Sequence, residues 1–208
     1  MNRSDLSLKG SIDGPIRPLI DLLNGSPHYY TTSSCSGRIT LIEKPLGQSN
    51  RKEGNKFHLS NHEGLPLKDL VHRIELLNSD EISEAEPRCI WLKYEPFILH
   101  VQCSDSESAT RLLRVALGAG CRNSGISLGK ANKFMLAIRS TSSMEVPIYC
   151  RSKFSLERNY LEFLCQECNQ RLCDNQARLA KLQRYVLDML NMDATLQSPD
   201  QSEQSAHE

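Results

Sequence analysis

Residues 30–38 read YTTSSCSGR, so a β-forming run gives way to small hydroxyl residues, a cysteine, a glycine and an arginine. Strand-like residues lie on both sides, which predicts that residues 33–38 form the turn between two strands. Small side chains let the backbone approach a ligand, Gly37 adopts conformations that other residues resist, and Arg38 offers a forked cation. The stretch predicts a cradle for a small anionic ligand, with an ordinary polar turn as the alternative.

The spacing of apolar residues predicts the remaining helices and strands. We expect helices at residues 15–24, 67–77, from Ser104 or Ser106 to 117, and 155–190, and strands at 57–61, 89–94, 97–103, 126–128, 134–138 and 146–149. Because the two kinds of element alternate without a strict repeat, they predict an α/β fold, a single domain with a mixed β-sheet flanked by helices. The absence of a Gly-x-Gly-x-x-Gly motif after the first strand argues against a Rossmann-type cofactor site.

Length and charge limit the domain count and the class of partner. The 208 residues, 39% of them apolar, suffice for one domain at residues 1–190, followed by a disordered polar tail at 191–208. The formal charge is zero, which argues against broad nucleic-acid binding. The tail carries four acidic residues, so the rest of the chain has 25 basic and 21 acidic residues, which modestly favours an RNA partner.

Eight cysteines in 208 residues could suggest the disulfide framework of a secreted protein, but the lack of a secretory signal and of long apolar runs argues for a reducing compartment. No apolar run approaches the roughly 18 residues of a spanning helix, and the first residues are too polar for a secretory signal. We therefore expect a cytoplasmic protein without a membrane partner, whose eight cysteines are reduced. Cys165, Cys168 and Cys173 have zinc-like spacing, but no second pair accompanies them, so we predict no metal site.

Besides the opening stretch, five short motifs follow one another along the chain: DLS at 5–7, KGS at 9–11, EPFILHV at 95–101, RNSGI at 122–126 and IRST at 138–141. Together and in this order, the motifs resemble those of the tRNA wybutosine-synthesising protein 3 family. The resemblance covers roughly residues 5–190. It implies a methyltransferase that uses S-adenosylmethionine and methylates N4 of the 7-aminocarboxypropyl-demethylwyosine next to the anticodon of phenylalanine tRNA. The cysteines and polar face of the long last helix suit contact with other wybutosine-pathway enzymes, with core packing and a solvated face as the alternative.

The resemblance assigns candidate roles to the motif residues. The cofactor-binding candidates are Ser33, Ser34, Cys35, Gly37 and Arg38. The substrate-binding candidates are Lys9, His62, Arg122, Ser124, Arg139 and Ser140. The arginines suit a methionine carboxylate, an aminocarboxypropyl group and a tRNA phosphate, with ordinary salt bridges as the alternative. At His62 the sequence departs from the family, because Asn61 stands where a hydroxyl residue is usual and Phe57 where a tryptophan is common.

The catalytic candidates are His100 and Glu95. Methyl transfer is an in-line displacement that needs alignment and exclusion of water, and a base helps if the acceptor nitrogen must lose a proton. Strict strand alternation would point Glu95 and His100 to opposite faces unless Pro96 disturbs the strand. The alternative interpretation gives Glu95 a basic partner and His100 a hydrogen bond on its strand.

Two rival functions remain open at the level of sequence. One is a cysteine hydrolase with Cys35 as nucleophile and His100 or His62 as base, although no recognisable signature supports it. The other is a non-catalytic tRNA-binding module in which the arginines hold an anticodon loop and Tyr29 and Tyr30 stack on its bases. Asp13, which precedes the first helix, is expected to cap that helix.

Overall fold

The strands fall into two separate sheets. A computed structural model describes residues 11–45, 55–79, 88–129, 133–150 and 154–196. The strands are β1 (Tyr29–Cys35), β2 (Arg38–Pro45), β3 (Lys56–Asn61), β4 (Arg88–Glu95), β5 (Ile98–Cys103), β6 (Gly125–Leu128), β7 (Phe134–Arg139), β8 (Met144–Cys150) and β9 (Phe154–Ser155). The helices are α1 (Arg17–Asn24), preceded by a 3₁₀ turn at Gly14–Ile16, α2 (Leu67–Ser79), α3 (Ser106–Gly118) and α4 (Arg158–Leu196).

The α/β class and the long C-terminal helix are confirmed, but the single mixed sheet is replaced by two antiparallel sheets. One has the strand order β1-β5-β7-β6 and the other β3-β2-β4-β8-β9. The strand pairs that the described residues form are antiparallel. The predicted hairpin of β6 and β7 is present. Strands β1 and β2 do not pair with each other, so the expected turn at residues 33–38 shrinks to Ser36 and Gly37, and Ser33, Ser34 and Cys35 belong to β1.

Two helix ends differ from the prediction. Asp105 caps α3 by accepting a hydrogen bond from the backbone N–H of Ser108, so neither Ser104 nor Ser106 is the cap. Helix α4 continues to Leu196, so residues 191–196 are helical and the prediction of a tail starting at 191 is wrong there. The acidic segment at 80–87 and residues 197–208 lie outside the described residues.

Within the described residues, the chain crosses from one sheet to the other at three places. Strand β1 leads into β2 through Ser36 and Gly37, β4 leads into β5 through Pro96 and Phe97, and β7 leads into β8 through residues 140–143. Strands β1, β5 and β7 are neighbours in one sheet, and β2, β4 and β8 are neighbours in the other. The crossings therefore lie side by side along the line where the two sheets meet.

Helix α4 covers one side of both sheets. Its 39 residues extend for about 58 Å at 1.5 Å per residue. Leu164 and Leu172 in its first half belong to the core of the five-stranded sheet and α2, whereas Leu179 and Val186 pack with the four-stranded sheet, α1 and α3. Burial alternates along β5, so every second residue faces away from the helices. We call this helix-free side of the two sheets the open face.

Asn175 of α4 fastens two of the crossings from the buried side. Its side chain is fully buried between the two cores. The amide nitrogen donates to the carbonyl of Ser36 at 2.8 Å, and the amide oxygen accepts from the backbone N–H of Phe97 at 2.8 Å. Gly37 has φ of 96°, and a Cβ there would lie 2.8 Å from the Asn175 amide nitrogen. Close packing against the helix thus requires glycine at this crossing.

The cysteines behave differently from the sequence-based expectation. Cys89 and Cys150 form a disulfide between β4 and β8, so the prediction of fully reduced thiols is wrong for this pair. Cys165 and Cys168 are buried in the core beneath the five-stranded sheet, and Cys173 is exposed. Within the described part of the chain, no helix has both the length and the apolar character needed to cross a membrane.

Replacing Asn175 by alanine should destabilise the protein. The change leaves the Ser36 carbonyl and the Phe97 N–H buried without their partner. Each such group costs about 1–3 kcal/mol, so the free energy of unfolding should fall by about 3 kcal/mol. Urea denaturation followed by circular dichroism measures the difference. The matched control is Gln176→Ala, which removes an exposed amide on the same turn and should change stability little; equal stability of the two variants would contradict the bridging role.

Candidate functional site

A cleft of about 410 Å³ opens where the three crossings meet. Its lining comes from the ends of β1 and β2, the β4–β5 crossing, and the end of β7 with the start of β8. The charged residues of the lining are Arg38, Lys93, Glu95, Arg139 and Glu145. The volume lies in the range of small-molecule sites, about 300–1,000 Å³. Three of the sequence motifs, which are far apart in the chain, therefore meet at one cleft.

Glu95 is held between two cations on this lining. Its Oε2 accepts a hydrogen bond of 2.7 Å from Nε of Arg38, and its Oε1 lies 3.8 Å from Nζ of Lys93. Burial opposes the charge of Arg38, but the hydrogen bond from Arg38 to Glu95 and the charge of that carboxylate outweigh it and raise the pKa of Arg38. The contacts of Glu95 match the ion-pair interpretation, and its main effect on the cleft is to hold Arg38 in place.

His100 lies on the open face of the four-stranded sheet. Its Nδ1 is 2.9 Å from Oγ of Ser33 on β1, and its Nε2 is 3.3 Å from Nη2 of Arg139 on β7. A guanidinium only donates, so Nε2 is the acceptor of this bond and Nδ1 carries the ring proton, which it donates to Ser33. Partial burial and then the charge of Arg139 lower the pKa of His100 from its ordinary value of 6.5. The imidazole is therefore neutral at physiological pH.

The crossing at Pro96 and Phe97 removes the conflict between Glu95 and His100. Strict alternation along one strand would send the two side chains to opposite faces. Glu95 instead ends β4 in the five-stranded sheet, and His100 lies in β5 of the four-stranded sheet. Glu95 lines the cleft, while His100 contacts Arg139, which lines it as well. Arg139 thus links the histidine to the cleft.

The side chains of Asp13 and His62 also hold the β1–β2 crossing in place. Oδ2 of Asp13 accepts from the backbone N–H of Ser36 at 2.8 Å and from its hydroxyl at 3.1 Å. Nδ1 of His62 donates to the carbonyl of Gly37 at 2.7 Å. The side chain of Asp13 makes no capping hydrogen bond to the 3₁₀ turn that begins at Gly14, so the prediction of a helix cap is wrong.

The same corner contains a candidate metal-ligand group. One ligand atom each from Asp13, Cys35 and His62 lies within 4.8 Å of the others. Asp13 and His62 use these atoms, or their close neighbours, in the hydrogen bonds to Ser36 and Gly37. A bound cation would therefore compete with the bonds that shape the crossing.

The structure separates the remaining candidates from the sequence analysis into two sets. Cys35 and Ser140 reach the cleft; Ser140 also accepts a hydrogen bond of 3.0 Å from Nη1 of Arg178. Ser34 pairs with the buried Leu99 and so shares the helix-covered face with it. Three other candidates lie away from the lining. Gly37 packs against Asn175, Ser124 accepts a hydrogen bond of 3.1 Å from the backbone N–H of Arg139, and Arg122 is exposed in the turn before β6. Lys9 lies outside the described residues.

Comparison with known sequences identifies the family. A sequence model described as Methyltransferase TYW3 matches residues 1–188. The chain belongs to the TYW3 methyltransferase family. The tRNA wybutosine-synthesizing protein 3 homolog of Bos taurus is 36% identical over 182 residues, which cover 87% of this chain and 67% of that protein. The tRNA wybutosine-synthesizing protein 3 of Schizosaccharomyces pombe is 36% identical over 190 residues, with 88% and 79% covered.

A solved structure shares the fold of this TYW3-family chain. The PH1069 protein from Pyrococcus horikoshii superposes with a TM-score of 0.75 and 27% sequence identity, covering 86% of this chain and 87% of that one. The resemblance inferred from the short motifs is therefore confirmed. Three of the motifs, at residues 30–38, 95–101 and 138–141, lie at the crossings between the two sheets.

Sequence reasoning missed several residues that build the site of this TYW3-family protein. Asn175 and Arg178 on α4 hold the crossings, and Lys93 and Glu145 line the cleft. A signal for Asn175 was present in the sequence. The buried residues Cys168, Leu172, Leu179 and Leu182 define a stripe at helical spacing, and Asn175 interrupts it. A polar residue inside a buried stripe needs partners there.

Cys35 should react slowly with alkylating agents. Burial raises the pKa of its thiol from the ordinary value of 9.0, so the thiolate that reacts is scarce at neutral pH. We expect iodoacetamide at pH 7.5 to label Cys35 more slowly than the exposed Cys173, measured by peptide mass spectrometry over time. Faster labelling of Cys35 than of Cys173 would contradict this environment and would favour the cysteine-hydrolase interpretation.

Proposed function

We propose that this protein is a tRNA methyltransferase of wybutosine synthesis. In this proposal it transfers a methyl group from S-adenosylmethionine to N4 of the 7-aminocarboxypropyl-demethylwyosine beside the anticodon of phenylalanine tRNA. Family membership and the names of the relatives support the reaction class and the tRNA substrate. The observation that carries the assignment to a site is the cleft at the sheet junction, which Arg38 and Arg139 line and where Arg139 contacts a neutral histidine. A cytoplasmic location belongs to the same proposal.

The chemistry of the cleft suits the proposed methyl donor. S-adenosylmethionine, when bound, supplies a methyl group on a positively charged sulfur. Its amino-acid end is zwitterionic, and the lining offers cations for a carboxylate in Arg38 and Arg139 and a carboxylate for an ammonium group in Glu145. Pro96 and Ile98 add apolar surface for a nucleobase. These residues are the ones we assign to holding the donor.

Within this proposal, His100 accepts the proton that the ring nitrogen loses. It is neutral because burial and Arg139 lower its pKa, so it is able to take a proton at physiological pH. Nδ1–H donates to Ser33, which fixes the ring and leaves Nε2 as the nitrogen that accepts. The Arg38–Glu95 pair keeps one cation at the cleft in a defined orientation. The main contribution of these residues is alignment.

The open face offers a surface for the tRNA. Tyr30 is 47% exposed and pairs with Gln102 of β5 on this face, so its ring is accessible to a base. Tyr29 is buried in the core and donates to the carbonyl of Ser108, so the expectation that both tyrosines stack on bases is wrong for Tyr29. We assign Arg122, which is exposed beside β6, to a phosphate contact and His62 to positioning of the β1–β2 crossing. Lys9 stays a proposed tRNA contact.

Methylation of a defined tRNA tests this function. Phenylalanine tRNA bearing the demethylated precursor is incubated with the protein and S-adenosylmethionine, and its nucleosides are analysed by mass spectrometry. We expect the precursor nucleoside to gain one methyl group. Arg38→Ala and Arg139→Ala should each slow the transfer by about 100-fold, because a misplaced donor or acceptor loses alignment.

The matched control is Arg114→Ala, an exposed arginine of α3, and it should keep nearly the wild-type rate. Circular dichroism checks that the variants are folded. Unchanged rates in both cleft variants would contradict the placement of the site. Absence of methylation by the wild-type protein, together with tRNA retained in a filter-binding assay, would contradict the enzyme and favour the non-catalytic tRNA-binding module.

A further inference from the structure

We infer that Arg139 masks the acceptor nitrogen of His100 and that a carboxylate bound in the cleft unmasks it by attracting the guanidinium. This inference rests on the proposed function, because it explains how the base of that reaction becomes available. The ligand chemistry is a carboxylate beside the His100–Arg139 pair. The methionine end of the donor and the aminocarboxypropyl group of the modified base both carry one.

The direction of the hydrogen bonds defines the masked state. Arg139 has only donors, so its Nη2, 3.3 Å from Nε2 of His100, occupies the lone pair that a base would use. The other nitrogen, Nδ1, carries the proton and is bonded to Ser33. Neither nitrogen of the ring is then available to a substrate. Proton transfer to His100 requires that Arg139 leave Nε2.

Arg139 is placed to respond to an anion. It is exposed at the end of β7 and lines the cleft, so the side chain that contacts His100 also borders the space where a ligand would bind. Its backbone N–H donates to Oγ of Ser124, which holds the strand while the side chain moves. Within the described parts of the chain no carboxylate pairs with Arg139, whereas Arg38 already pairs with Glu95. A guanidinium binds a carboxylate bidentately and more strongly than an imidazole nitrogen.

The contact between Arg139 and His100 also controls how basic the histidine is. On the open face, β1 presents Ser33 and Cys35 towards β5, and β7 presents Arg139. The charged groups of the adjoining sheet at the cleft pair among themselves: Arg38 with Glu95, and Lys93 with Glu95 and Glu145. Arg139 is therefore the cation whose pairing state His100 experiences. A carboxylate that neutralises Arg139 weakens the effect that lowers the pKa of His100, so the base becomes both accessible and stronger.

Nuclear magnetic resonance of the histidines tests the mask directly. The chain contains six histidines, and His100→Gln assigns the His100 signal in protein labelled at the imidazole carbons. In the wild-type protein we expect His100 to titrate below 6.5. Arg139→Gln should raise that pKa, while Arg114→Gln, which changes an exposed arginine of α3, should not. An unchanged pKa of His100 in Arg139→Gln would overturn the inference.

Two ligand pairs identify the source of the carboxylate. S-adenosylhomocysteine carries the amino-acid carboxylate, and methylthioadenosine lacks it. Precursor tRNA with the aminocarboxypropyl group is compared in the same way with tRNA that bears the tricyclic base without that group. The inference is supported if the carboxylate-bearing member of either pair raises the pKa of His100 in the wild-type protein and does not raise it in Arg139→Gln. The pair that shows this rise identifies the source of the carboxylate. No rise with saturating amounts of either carboxylate-bearing ligand would overturn it.

The pH dependence of methyl transfer separates this inference from the proposed function. The base must be neutral, so the rate falls as pH decreases through the pKa of His100. In the pH profile of kcat/KM this fall occurs at the pKa of His100 in the free enzyme, and in the profile of kcat it occurs at the pKa of His100 in the complex. Because the bound carboxylate raises that pKa, kcat should fall at a higher pH than kcat/KM. Methylation in which kcat and kcat/KM fall at the same pH would overturn the mask and leave the function intact. No methylation, with a carboxylate-dependent pKa of His100, would overturn the function and leave the mask intact.

Discussion

The side-chain amide of Asn175 is the interaction on which the arrangement of the two sheets depends. It donates to the carbonyl of Ser36 and accepts from the N–H of Phe97, and so joins two crossings to one helix. Two sheets that share only short crossings would otherwise pivot about their junction. Buried hydrogen bonds to both crossings, with apolar contacts of α4 on either side, hold the sheets at one relative position.

This constraint gives the cleft its shape and its charges. The two crossings that Asn175 holds from the buried side carry Arg38 and Glu95 on the open face, and Arg139 lies beside them at the third crossing. Because the chain passes from one sheet to the other at each crossing, residues that are close in the sequence lie in different sheets. Glu95 orders a cation at the cleft, while His100, five positions later, belongs to the neighbouring sheet. A fold without a Rossmann-type loop thus gathers cations and a neutral histidine at one point.

Local pattern predicted the elements well and their pairing poorly. Apolar spacing located α1, α2 and the β6–β7 hairpin, because these depend on neighbouring residues. It placed Ser33 to Cys35 in a turn, since small hydroxyl residues are common in turns, whereas pairing with β5 keeps them extended. It treated Asp13 as a helix cap, yet the carboxylate binds Ser36, which is distant in sequence. Strand partners and long-range hydrogen bonds are not encoded in any single segment.

The amino-acid sequence by itself determined the family, the α/β class, the long last helix and five of the thirteen residues that line the cleft. Short motifs retain identity because their side chains carry the chemistry, and helices retain their period because one face is buried. Only the tertiary structure decided that the strands form two antiparallel sheets, that Asn175 joins them, and that Arg139 contacts His100. These facts depend on which distant segments pack together, and the packing of the whole chain settles that choice.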